Sequence, residues 1–76
     1  MNGEGVKRNP EAGANLFRQG AEKGDSVGMF FYANCLAQGI GVQRDTRTAT
    51  EWYRKAAKAG NARAIEWCRQ NSVDFQ

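Results

Sequence analysis

Cys35 and Cys68 are the only cysteines of this chain, and it has no histidine, so the side chains behind most metal and acid–base chemistry are nearly absent. Two soft ligands are too few for a structural zinc, and with no imidazole neither thiol has its usual activating base. The carboxylates stand mostly singly, beside caps or on solvent faces, with no nucleophile–base pair at helical spacing. Gly3-Glu4-Gly5-Val6 and Gly39-Ile40-Gly41-Val42 each carry glycines two apart, which invites comparison with a phosphate cradle. That spacing fits neither the P-loop nor the dinucleotide fingerprint, and no strand-like run precedes it. A helix C-cap followed by a left-handed turn accounts for both glycines, with Val42 plugging the gap between helices. These residues imply neither an enzyme nor a cofactor or metal site, so the chemistry to look for is non-covalent recognition.

The elements that carry the remaining candidates repeat. A shift of 36 positions superposes Gly3 on Gly39, Gly5 on Gly41, Val6 on Val42, Arg8 on Arg44, Arg18 on Arg54, Ala21 on Ala57 and Gly24 on Gly60. The pairs Asn9/Asp45, Phe17/Tyr53 and Asp25/Asn61 are close substitutes. A period in this range is the mark of stacked helical units, which generally present binding surfaces.

Four helices can be placed on that frame. The first starts after the cap Asn9, with Pro10 at the first helical position and Glu11 favourable to the dipole, and ends at Gly24. Its expected inner face is Gly13, Leu16, Phe17, Gly20 and Ala21. The third runs from the cap Asp45 to Gly60, with Ala49, Trp52, Tyr53, Ala56 and Ala57 on one face, two large rings among small alanines. Trp52 and Tyr53 are expected in the core, each contributing about 1.5 to 3 kcal/mol on burial. The second, about 26–38, holds Met29-Phe30-Phe31-Tyr32. Successive helical residues point about 100° apart, so at least one of these rings must turn away from the helix's own partner. The fourth spans about 62–70, after which the chain turns polar.

Composition sets the outer limits. Seventy-six residues, 41% hydrophobic and 25% charged, describe one small globular domain of marginal stability. The net charge of +3 falls wholly in the second half, where seven basic residues face four acidic ones, against four and four in the first. Spread over helices, it reads as a solvated face and not as a nucleic-acid stripe. The cysteines, out of step with the repeat, read as small buried apolar residues in a reducing compartment, a disulfide being the alternative. Met1 leads into a polar, glycine-rich stretch with no signal-peptide pattern, which favours a cytoplasmic location and no membrane insertion.

The run Gly39-x-Gly41-Val42-x-x-Asp45-x-x-x-Ala49-x-x-Trp52-Tyr53-x-Lys55-Ala56-Ala57-x-x-Gly60-x-x-x-Ala64 resembles the Sel-one-like repeat, a relative of the tetratricopeptide repeat. Gly3 to Gly28 is similar but weaker, with Gly13 and Gly28 in place of alanine and Leu16-Phe17 in place of the Trp-Tyr pair. The resemblance implies an all-α, short right-handed solenoid in which each unit is an A helix followed by a B helix, the A helices lining the concave side. By it, the four helices run B, A, B, A in a single domain, 1–76, divided by the period into 3–38 and 39–74. The family's small residue in helix A is Ala33 in the second segment. Arg69 takes that place in the fourth, which reads as a polar cap on the array.

Phe31 and Trp67 are equivalent under the shift and stand where the family more often carries a polar inner-face residue. With Phe30, Asn34, Arg63 and Gln70 they form the expected contact set, the aromatics anchoring a peptide or protein partner and the polar groups fixing register. The alternatives are that Trp67 packs under Val73 and Phe75, and that Phe31 only fills the core. The implied function is a non-enzymatic adaptor. Self-association through the first helix, a capping role, or inhibition of a partner by occlusion are the other readings.

Overall fold

The computed structural model describes residues 9–75 as four α-helices: α1 (Pro10–Glu22), α2 (Ser26–Gln38), α3 (Thr46–Lys58) and α4 (Ala62–Gln70). Each begins on an Asn or Asp whose side chain accepts a hydrogen bond from a free amide of the first turn. Asn9 takes it from Ala12, Asp25 from Val27, Asp45 from Thr48 and Asn61 from Ala64, at 2.9 to 3.1 Å. The caps fall at positions 9 and 45 and at 25 and 61, so the 36-residue period is a period of helix starts.

Consecutive helices pack in order, α1 on α2, α2 on α3 and α3 on α4. The fully buried apolar residues are mostly alanine: Ala14 and Ala21 of α1, Ala33 of α2, Ala49, Ala56 and Ala57 of α3, and Ala64 of α4. Cys35, Leu36, Tyr53 and Cys68 complete the buried set. With methyl groups at the contact, the backbones approach closely, and the large rings other than Tyr53 are pushed to the flanks, where they lie half-buried. Gly28 takes this furthest, because a Cβ there would stand 3.0 Å from the backbone of Gly20 and Ala21 on α1.

The loop between α2 and α3 turns as its glycines require. Gly39 caps α2 at φ 71° and Gly41 follows at φ 74°. At Gly41 a second reason applies, since a Cβ would collide with the Pro10 carbonyl at the start of α1. Val42 packs against the core beside them. The counterpart loop at Gly3 to Val6 lies outside the described residues.

α1 differs from the sequence expectation. Leu16, expected inside, is 66% exposed, and Gly13 has open space where a Cβ would point. Phe17, half-buried, and Ala21, buried, lie inside as expected, and Ala14, outside the expected face, is buried as well. The reason lies in which helices flank each element. α3 sits between α2 and α4, so Ala49 is buried and Trp52 meets Tyr32 of α2. Gly13 and Leu16 occupy the matching side of α1, where no described helix packs.

Beyond α4 the chain reverses. Ser72 adopts a left-handed φ of 57°, the Val73 amide donates to the Cys68 carbonyl at 2.8 Å, and Arg54 Nε donates to the Asp74 carbonyl at 2.7 Å. Val73 and Phe75 are thereby laid against the core.

Candidate functional site

The four-residue apolar run in α2 is used in every direction. Phe31 stacks on Phe17 of α1, with ring centroids 5.2 Å apart, while Phe30 meets Tyr53 of α3 edge-on at 5.7 Å and Tyr32 meets Trp52 at 5.7 Å. Phe30 also touches Phe31 edge-on at 5.5 Å, and Trp67 of α4 stacks on Tyr53 at 3.9 Å. The result is a continuous row, Phe17, Phe31, Phe30, Tyr53, Trp67, crossing all four helices. Its two stacked pairs are copies of one another, since Phe17 and Phe31 become Tyr53 and Trp67 after one period. The rings expected as free anchors are therefore half-buried and braced by a neighbour, with Tyr53 as the surface under Trp67.

Asn34 is engaged as well. Its Oδ1 accepts a hydrogen bond from the Tyr53 hydroxyl, which gives a buried ring its polar partner. Gln70 is exposed and donates to Glu66 within α4 at 3.3 Å.

A groove remains between the starts of α2 and α4. It holds about 400 Å³ and is lined by Val27, Phe30, Phe31, Asn61, Ala62 and Arg63. The two helix starts are tied together where Asn61 Nδ2 donates to the Ser26 carbonyl at 3.4 Å. Of the six expected contact residues, the fold brings Phe30, Phe31 and Arg63 to this groove, and Asn34, Trp67 and Gln70 are not among its lining residues. Val27, 51% exposed, was missed in the sequence. The signal was present, because positions 27, 30, 31 and 34 follow the spacing of one helix face.

The titratable groups take structural roles. Cys35 and Cys68 are buried and free, and burial raises both thiol pKa values, with Arg54 partly opposing the rise at Cys68. A raised pKa means little thiolate at neutral pH, the reverse of an activated nucleophile. Burial also raises the Tyr53 phenol, with nearby Cys35 adding to it. The Asp45 carboxyl is lowered by the bonds it accepts from the Thr48 hydroxyl and amide as a cap. Among the described residues no group of three or more metal-ligating side chains converges, and no helix is long and apolar enough to cross a membrane.

A second, smaller groove of about 200 Å³ lies on the solvent side of α3, lined by Glu51, Arg54, Lys55, Lys58 and Phe75. None of its residues lines the first. Comparison with known proteins agrees with the helical repeat. A family model described as Sel1 repeat matches residues 1–25 and 26–61, the second stretch being one full period long. No solved structure matches the chain.

Proposed function

The chain belongs to the Sel1 repeat family, whose units are helical scaffolds that generally mediate protein–protein contact, and from that premise we propose that it binds a peptide or protein segment in the groove between α2 and α4. The observation that carries this reading is the exposure of Val27 beside Phe30 and Phe31, an apolar floor with one cation, Arg63, at its edge. Such a floor holds an apolar side chain, and the charged rim restricts its orientation. Phe30 and Phe31 are the proposed anchors, with Val27 extending them. Trp67 and Asn34 act at one remove, by holding Tyr53 and through it Phe30. Gln70 takes part from the exposed face of α4.

Affinity capture followed by mass spectrometry, with the native chain and a Val27→Glu/Arg63→Glu variant, tests the proposal. Both substitutions sit at solvent-accessible positions, so helicity by circular dichroism is expected to persist. Proteins retained by the native chain and lost by the variant support the groove. The same proteins retained by both overturn it.

A second reading, self-association through α1, is favoured by Leu16, whose side chain lies open on the outer side of that helix. Sedimentation over a dilution series separates the two. A single monomeric species at high micromolar concentration removes the self-association reading.

A further inference from the structure

The α3 groove, lined by Glu51, Arg54, Lys55, Lys58 and Phe75, collects three cations around one aromatic ring. Two of the cations are held in place. Arg54 is fixed by its Nε bond to the Asp74 carbonyl, and Lys55 Nζ lies 4.6 Å from the centre of the Trp52 ring. Holding a long side chain in advance removes part of the entropy that a ligand must otherwise overcome on binding. Arg69 and Glu66 form an ion pair on α4 that involves none of these three groups. Glu51 brings the lining to a net charge of +2, in the half of the chain that carries the whole positive excess.

We infer that this groove is a second docking site, separate from the one between α2 and α4, and that its occupant is an acidic segment of a partner protein carrying an apolar side chain beside its carboxylates. The half-buried Phe75 ring receives the apolar group, and Arg54, Lys55 and Lys58 receive the carboxylates. A protein segment fits better than nucleic acid for two reasons. Glu51 can accept a hydrogen bond from a peptide amide, a donor that a phosphate backbone does not offer. The cations also form one compact cluster and not the extended stripe that follows a phosphate backbone. With an acidic segment here and an apolar one between α2 and α4, the chain can hold two partners without either displacing the other.

Fluorescence anisotropy at low salt tests the inference with three labelled probes: a peptide of alternating glutamate and phenylalanine, its glutamate–alanine counterpart, and a single-stranded oligonucleotide of similar length. The expected order is glutamate–phenylalanine peptide tightest, then glutamate–alanine peptide, then oligonucleotide. Binding of the first should weaken about tenfold in a Lys55→Gln/Lys58→Gln variant, in line with the loss of two exposed charge contacts. The same loss on removing Lys55 and Lys58 should be seen in the Val27→Glu/Arg63→Glu background, where the groove between α2 and α4 is blocked, so failure at one groove is distinguishable from failure at the other. Retained helicity in both variants separates lost binding from lost fold. No measurable peptide binding, an undiminished affinity in the lysine variant, or tighter binding of the oligonucleotide overturns the acidic-segment site.

Discussion

Trp67 lies nearly parallel to Tyr53, with planes 18° apart and centroids 3.9 Å apart, and Phe31 holds the same relation to Phe17 one period earlier, at 24° and 5.2 Å. The first stack joins α3 to α4 and the second α1 to α2, so the aromatic row serves packing. A residue at a supposed binding position can thus unfold the surface that it was expected to decorate.

Trp67→Ala should therefore destabilise the chain by about 2 kcal/mol, from lost apolar burial together with a lost ring pair. Leu16→Ala, on the face of α1 where no described helix packs, should stay within about 0.5 kcal/mol of the native value. Urea denaturation followed by far-UV circular dichroism measures both. Equal costs at the two sites would contradict the packing described for α1.

Asn34→Ala leaves the Tyr53 hydroxyl without its acceptor in a buried place and should cost about 1 to 3 kcal/mol. Tyr53→Phe removes the donor while half-buried Asn34 keeps access to water, so its cost should be smaller. The double variant should cost less than the two singles added together. Strict additivity in that cycle would mean that the bond contributes nothing to stability.

Gly13 and Gly28 both stand one period before an alanine, Ala49 and Ala64, yet they should respond with opposite signs. Gly13→Ala enters open space in a helix and should add up to about 1 kcal/mol. Gly28→Ala drives a methyl group against the α1 backbone and should cost about 1 to 3 kcal/mol. Thermal melts of the two variants give the comparison directly, and a shift of the same sign in both would be inconsistent with the close approach at Gly28.

Stability should decline at high pH. Cys35, Cys68 and Tyr53 have folded pKa values above their ordinary ones, so the folded state holds these protons more tightly than the unfolded state does. Their contribution is complete below the unfolded thiol value of about 8.5 and is lost as pH rises from there toward the folded values. Asp45 acts in the opposite sense at the acid end. Its lowered pKa stabilises above the ordinary carboxyl range and is lost as pH falls through the folded value. Urea midpoints across the two limbs should show both declines, and a Cys35→Ala/Cys68→Ala variant should flatten the alkaline one. Maleimide labelling of the native chain at neutral pH should be slow.

The four helices and their starts were legible in the chain because caps are local. An Asn or Asp followed by helix-forming residues needs no distant partner to act, and Asn9, Asp25, Asp45 and Asn61 recur at the period for that reason. The left-handed glycines at 39 and 41 were legible on the same grounds. The site was less so. Phe30, Phe31 and Arg63, expected from equivalence and spacing, line one groove, but Val27's exposure and the α3 groove depend on which faces are left uncovered, and no local pattern records that.

Sequence alone determined an all-α Sel1 repeat chain and where each helix begins, because those follow from residue types and their spacing. Tertiary structure decided that Leu16 is outside while its counterpart Trp52 is half-buried, that Trp67 is braced by Tyr53, and that Phe75 lines one groove with Arg54, Lys55 and Lys58. The physical reason is neighbourhood. An apolar side chain is buried only when another element lies against it, and a 36-residue repeat makes positions alike in sequence without making their neighbours alike.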